Sequence, residues 1–395
     1  IADRIRWMRL PLVRIMMQTK WCYLGEGLFD WETLDMQGLY RHLDLCQREN
    51  VTVLLSDWGC EPQWLRIPGT RDVADPKYAE AIGTYMDYLI NQRRYSCIKY
   101  FILVNEPNYE VRSWDRWRKG LENVAEAFAA RGLDEEVTLM GPDHSNADEW
   151  LQQAADQLKD ILGAYDIHRY EGDEVVRPGL LEAYFRRQWE YVRAKDPGSD
   201  QKPFVVGEAG LNDDADHPYG NRRIDSFEYG LFMADYAVQA ARAGAAGVSA
   251  WMLDDNSHPG FYWGMWGNKE NGFRLRPWFL VWSLLSRYFP QGCTMHRMDQ
   301  PSPDWRLLVA DSSSGSGRRA WSICLVNRGR TPVDVRIKFP GGDKQMLKRF
   351  VYSRDSVAGM DGYPSPAWTG EVDLGHELHI ECPPEAVVVQ SSLPF

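Results

Sequence analysis

Short apolar runs recur along the first 255 positions, each followed by a longer stretch with apolar side chains every three to four residues. The runs are Leu12–Met17, Thr52–Asp57, Tyr100–Asn105, Thr138–Asp143, Gly163–His168, Pro203–Glu208 and Gly247–Met252. They are apolar throughout rather than alternating, which is the pattern of strands covered on both faces and so of a parallel sheet. The stretches between them predict helices over Thr33–Arg48, Lys77–Gln92, Trp114–Ala130, Leu180–Lys195 and Phe227–Arg242, with Thr33 placed to cap the first. Strands alternating with helices imply right-handed β-α-β units and an α/β fold, a (β/α)8 barrel. Seven runs are present where a closed barrel has eight strands. Ala2–Leu10 reads as the helix ahead of the second barrel strand, so the first strand is expected upstream of Ile1. Arg276–Tyr288, with Pro277 near its start and Pro290 beyond its end, reads as the closing helix.

After about residue 290 the period changes to two. Alternating runs at Arg306–Ala310, Ala320–Val326, Val333–Phe339, Gln345–Tyr352, Glu377–Glu381 and Ala386–Gln390 are separated by turn-rich pieces at Ser312–Gly317, Pro340–Asp343 and Pro364–Pro366. This predicts an all-β sandwich over 290–395 behind a barrel over 1–289. The sandwich is read as structural support for the barrel, with Trp368 its main candidate surface aromatic.

Composition narrows the function. A formal charge of −11 disfavours nucleic acid or an anionic membrane as the main partner. No apolar run is long enough to span a bilayer. The seven cysteines form no CxxC pair and read as reduced, mostly buried thiols without a zinc site; His376 and His379 form an H-x-x-H pair in a strand-like run, not on a helix. Gly25 and Gly27 lack the third glycine of a dinucleotide loop. A cytoplasmic address is slightly favoured, with a cleaved leader as the alternative. Seventeen Trp and nineteen Tyr are many; flat rings stack on the C–H faces of sugars, so the excess fits a carbohydrate site, while any single Trp is more often a core residue.

In such barrels the site gathers at the carboxyl ends of the strands. The polar residues there are Arg14, Asp57 with Trp58, Asn105 with Glu106, Asp143 with His144, Asp166 with His168 and Tyr170, Glu208, and Trp251 with Asp254 and Asp255. Two glutamates stand apart. Glu106 follows Phe-Ile-Leu-Val-Asn and Glu208 follows Phe-Val-Val-Gly, so each ends a run that should be buried, where a carboxylate is costly unless used or paired. Asp143, His144, Asp254 and Asp255 are read as loop or subsite residues. Phe261, Tyr262, Trp263 and Trp266 are read as walls of a pocket.

Val104-Asn105-Glu106-Pro107-Asn108 resembles the Asn-Glu-Pro motif of the glycoside hydrolase clan GH-A, and Val206-Gly207-Glu208-Ala209-Gly210 is similar to its nucleophile motif. Arg14, His168-x-Tyr170 and Trp251 resemble the clan's supporting arginine, His/Tyr element and sugar-floor tryptophan. The resemblance spans residues 12 to 255 and leaves the family within the clan open. It implies retaining hydrolysis of a β-linked carbohydrate, with Glu106 as acid/base, Glu208 as nucleophile and neither cofactor nor metal. Arg14 would hold Glu208, His168 or Tyr170 would add a second bond, Asn105 would bind the sugar 2-hydroxyl, and Trp251 and Trp58 would contact the sugar. A carbohydrate-binding protein without catalysis and a transglycosylase are the alternatives.

Overall fold

The structure, a computed structural model, describes residues 1–212, 220–256, 260–299, 302–313, 319–339, 343–357 and 362–394. Seven parallel strands form the first sheet, in chain order: β1 (Leu12–Met17), β2 (Thr52–Asp57), β3 (Ile98–Ile102), β4 (Thr138–Ser145), β5 (Ala164–Glu171), β6 (Phe204–Leu211) and β7 (Gly247–Ala250). Around them lie α1 (Ala2–Met8), α2 (Leu34–Glu49), α3 (Pro76–Asp87), α4 (Trp114–Ala129), α5 (Asp148–Gln157), α6 (Leu180–Lys195), α7 (Phe227–Ala243) and α8 (Pro277–Tyr288). The Thr33 hydroxyl accepts the Met36 N–H at the start of α2, as its position predicts.

The sheet curls into a nearly closed barrel whose inside is filled by Leu54, Ile102, Met140, Ala164 and Val205, one from each of β2 to β6. Its edge strands are β1 and β7, which exchange no ladder bonds. Leu12 leans across this seam to Gly247, and the edge strands stay half-buried where β2 is buried along almost its whole length. No eighth barrel strand lies among the described residues. α1 packs beside α8 next to the seam.

Beyond α8 come β8 (Thr294–His296), β9 (Trp305–Ser313), β10 (Arg319–Asn327), β11 (Val333–Ile337), β12 (Lys344–Tyr352), β13 (Trp368–Asp373), β14 (Leu378–Cys382) and β15 (Ala386–Ser391). Six of them make an antiparallel sheet in the order β8-β9-β10-β15-β12-β13, and β11 pairs with β14. β8 spans only three residues and β13 buries none of its side chains, so neither shows in the sequence pattern. Within the predicted turns, 314–317 and 340–342 lie outside the described residues.

The large sheet is buried on both faces. Leu307, Val309, Ile323, Leu325 and Val388 point into the sandwich core, whereas Leu308, Ala310, Cys324, Val326, Val387 and Val389 join the barrel's core. With a side-chain period of two, one set of strands therefore builds two cores. Contact is close enough that Gly230 on α7 has no room for a Cβ, which would lie 2.1 Å from the Tyr352 hydroxyl. Buried ions reinforce it. Arg242 on α7 donates to Glu182 Oε2 (2.8 Å) and to the carbonyls of Leu307 (2.7 Å) and Met298 (2.9 Å). Arg242→Met is expected to cost about 3 kcal/mol, because it strands two carbonyls and leaves Glu182 Oε2 without its buried donor. Urea denaturation checks this, and a loss below about 1 kcal/mol would place the cohesion in the apolar faces alone.

All seven cysteines are free, six of them buried. His376 faces Asp373 at 3.4 Å in the turn before β14, and His379 lies opposite Arg336. Among the described residues no helix is long and apolar enough to cross a membrane.

Candidate active site

The sequence places Glu106 directly after a run ending at Asn105, but β3 closes at Ile102. The next residues leave the sheet through a tight turn in which Val104 (φ 68°) and Glu106 (φ 44°) are left-handed. That conformation is unfavourable for a β-branched residue and is held here by surrounding bonds. The Asn105 N–H donates to the Asp57 carbonyl (2.9 Å), Trp117 Nε1 donates to the Leu103 carbonyl (2.7 Å), and Pro107 opens a helical turn. The result aims the Glu106 side chain across the barrel mouth.

Glu208 lies within β6, which continues to Leu211 rather than ending at the glutamate. Opposite β5, Ile167 pairs with Val206 and His168 with Glu208, so Gly207 is an extra residue on β6. Such a bulge shifts the face to which later side chains point. A Cβ on Gly207 would lie 2.9 Å from Asp166 Oδ2 and 3.3 Å from the His168 ring, so only glycine fits. β4 carries the same device. Pro142 pairs with Asp166 and His144 with Ile167, leaving Asp143 (φ 57°) as the inserted residue. Its N–H donates to Asp166 Oδ1 at 3.0 Å.

These turns bring together Arg14, Asn105, Glu106, Asp143, Asp166, His168, Tyr170 and Glu208. One carboxylate oxygen of Glu106, one of Glu208 and a ring nitrogen of His168 all lie within 4.8 Å of one another. Arg14 Nη1 donates to Glu208 Oε1, and Arg14 Nη2 donates to Asp143 Oδ2 (2.7 Å), Asn105 Oδ1 (2.9 Å) and Ser56 Oγ (2.9 Å). The Tyr170 hydroxyl donates to Glu208 Oε2 at 2.7 Å. His168 Nε2 lies 2.9 Å from Asp143 Oδ1, and Nδ1 lies 3.1 Å from Glu106 Oε1 and 3.6 Å from Glu208 Oε2. Side-chain exposure falls from 23% for Glu106 to 9% for Glu208 and 0% for His168 and Asp143, so the acid next to solvent is Glu106.

Burial and charge act against each other here. Burial would raise Asp143, but Arg14 and His168 outweigh it and hold the carboxyl below its usual range. Burial would lower His168, but Asp143 and Glu208 outweigh it and keep the imidazole charged well above its usual pKa. Asp166, raised by burial and by the neighbouring Asp143, stays protonated. Burial also pushes Asp57 up to about 6; its partners are Tyr78, the Gly59 N–H and Thr19, so it braces the loops below the site.

Glu106, His168 and Glu208, and likewise Asp143, Asp166 and His168, bring donor atoms close enough for a metal ion. The Arg14 guanidinium already lies against Glu208 and Asp143, where such an ion would find its charge.

Trp251 follows β7 half-buried, its ring 6.5 Å from Phe261, and Trp58 after β2 meets the exposed Trp64 edge-on at 5.4 Å. Trp263 packs edge-on against Tyr170 at 6.1 Å, and Tyr262 is exposed. Trp266, expected in the wall, is instead fully buried between Arg4 and Phe279, because the loop doubles back under itself. Asp255 is also structural: it accepts from both terminal nitrogens of Arg276 (2.9 and 2.6 Å) and from the Trp263 and Gly264 N–H groups, tying down the loop after Trp251. Asp254 is partly buried in the same loop. His144 is buried, and burial lowers it to about 3. Asp143 is the site residue that sequence reasoning misjudged. Its signal was a carboxylate ending an apolar run, the same signal that Glu106 and Glu208 gave.

No protein-family model matches the chain, and no curated protein matches it in sequence. Solved structures do match. A GH30 endoxylanase from Clostridium papyrosolvens C71 is similar over 99% of this chain and 91% of its own, with a TM-score of 0.68 at 11% identity. An α-L-arabinofuranosidase from Thermotoga maritima is similar over 99% and 89%, with a TM-score of 0.67 at 12% identity. A family 39 glycoside hydrolase from Bacteroides cellulosilyticus WH2 is similar over 98% and 76%, with a TM-score of 0.64 at 14% identity. Barrel and β domain together thus have the fold of glycoside hydrolases in the clan GH-A, the clan whose motifs the sequence resembles.

Proposed function

We propose that this protein is a retaining glycoside hydrolase that cleaves β-linked glycosidic bonds by double displacement, with Glu208 as nucleophile and Glu106 as acid/base. The observation that carries this reading is the approach of the two carboxyl groups, whose oxygens come within 4.8 Å of each other. Retaining enzymes hold such groups about 5–5.5 Å apart, and inverting enzymes leave about 6.5–9.5 Å for a water. The fold supports it as well.

In the first step a Glu208 oxygen bonds to the anomeric carbon as the bond to the leaving oxygen breaks, and Glu106 gives that oxygen its proton. In the second, water bonds to the anomeric carbon, its proton passes to Glu106, and the bond to Glu208 breaks. The partners support this division of roles. Glu208 accepts from Arg14 and Tyr170 on both oxygens, which orients it as the nucleophile; Glu106 is the more exposed and better placed to meet the leaving group. Asn105 offers its amide N–H groups to the sugar, since its oxygen already accepts from Arg14. Trp251 and Trp58 would stack on the sugar. Residues 1–289 would be the catalytic unit, with 290–395 its support.

The test set is aryl β-D-xylosides, β-D-glucosides and β-D-galactosides. Cleavage of at least one is expected, with the first-formed sugar, followed by NMR, keeping the anomeric configuration of the substrate. An inverted first product removes the mechanism. Sugar binding by calorimetry with no cleavage over days would make the protein a carbohydrate binder.

A further inference from the structure

We propose that Asp143 is a positioning residue that couples the two catalytic glutamates: one carboxylate grips Arg14, which holds Glu208, and His168, which faces Glu106. This inference rests on the reading of Glu106 and Glu208 given above. Its basis is a division of labour between two oxygens. Asp143 Oδ2 accepts from Arg14 Nη2 at 2.7 Å and from the Glu106 N–H at 3.3 Å. Asp143 Oδ1 lies 2.9 Å from His168 Nε2, whose other nitrogen lies 3.1 Å from Glu106 Oε1. Asp143 is fully buried, and the bulge in β4 points it inward. Among the described residues, Asp143 is the one that holds hydrogen-bond-length contacts to both Arg14 and His168.

The chemistry follows from hydrogen-bond polarity. An ionised Asp143 only accepts, so His168 Nε2 carries a proton. His168 Nδ1 is then the atom that can exchange a proton with Glu106. Charges facing the ring from the surrounding elements are Arg14 on β1, Glu106 after β3, Asp143 on β4 and Glu208 on β6, with protonated Asp166 beneath. Two cations, Arg14 and His168, thus face two carboxylates, Asp143 and Glu208, around the Glu106 carboxyl. Removing the Asp143 charge would tip that balance toward an ionised Glu106, which cannot act as an acid.

Asp143→Asn keeps the shape and one acceptor but turns an N–H2 group toward either His168 or Arg14. The alkaline limb of the kcat/KM profile is expected to move down by about one pH unit. Substrates with poor leaving groups, which need the proton, should lose about 100-fold in kcat/KM, while 2,4-dinitrophenyl glycosides should lose less than about fivefold. Equal losses on both, with an unmoved profile, would mean that Asp143 only supports the fold and would overturn the proposal. A second measurement does not depend on the variant's folding. In wild-type protein labelled with 15N-histidine, and with His168 assigned by comparison with His168→Gln, Nε2 should stay protonated from pH 5 to 8. An unprotonated Nε2 would also overturn it. Should the wild type cleave no glycoside, the function proposed above fails, and the nitrogen signal still decides whether Asp143 holds His168.

Discussion

Glu208→Ala is expected to lower turnover of an aryl β-glycoside by on the order of 10^4-fold while leaving the fold intact. The alanine removes the atom that would bond to the sugar, yet leaves Arg14 Nη1 and the Tyr170 hydroxyl pointing at the vacated space. That space is a small anion site lined by donors, next to the anomeric carbon. Azide should enter it, attack from the same side as the lost carboxylate, and restore turnover with a glycosyl azide of inverted configuration. Glu106→Ala should behave differently. Substrates with activated leaving groups need no proton for the first step, so they would still form the glycosyl-enzyme. Azide would then attack that intermediate from the opposite side and give a product of retained configuration. The pair of stereochemical outcomes separates the two glutamates, which rate losses alone would not. If Glu208→Ala keeps near wild-type turnover, or azide gives retained product from it, Glu208 is not the nucleophile.

The parts of this molecule that were readable in its sequence are those with unbroken periodicity. β1, β2 and α6 run over the residues that their patterns predict. A barrel of parallel strands follows from runs that are apolar on both faces, and the same patterns left one strand short, as the structure also does. Reading failed where the backbone departs from a regular period. At Gly207 and Asp143 one inserted residue changes the face of everything after it, so parity no longer tells where a side chain points. That is why Asp143 read as a loop or subsite residue and why β6 was expected to stop at Glu208. Trp266 failed for another reason: the loop's return path is set by contacts among Asp255, Gly264 and Arg276, which lie 9 to 21 residues apart in sequence, and no local pattern encodes it. After residue 290 the alternating runs do mark strands of the β domain, but the alternation alone does not reveal that the second face of the large sheet packs against the barrel.

Arg14→Met should be the most damaging single change to the protein as a whole, because it removes the guanidinium that is hydrogen-bonded to both the nucleophile and Asp143. Arg14 is almost fully buried, 4% exposed, and so are its partners Glu208 and Asp143. Methionine fills similar space but compensates neither charge. Breaking a buried pair by deleting one partner costs about 3–5 kcal/mol, since the remaining ion stays out of water. Turnover should fall as well, by on the order of 10^3-fold, because Glu208 loses the bond that orients it. The pH dependence identifies the cause. In the wild type Asp143 titrates below its usual range, so it contributes stability above about pH 4, where the unfolded chain ionises, and loses it only in stronger acid. Without Arg14, burial, the largest influence on Asp143, is opposed by His168 alone, and the acid regains a proton at higher pH. The stability difference between wild type and variant should therefore be widest near neutrality and narrow as the pH falls through about 4. Chemical denaturation at several pH values measures it. A difference that stays constant with pH would trace the loss to packing around the methionine, and the charge network at the barrel mouth would then contribute little to holding the fold together.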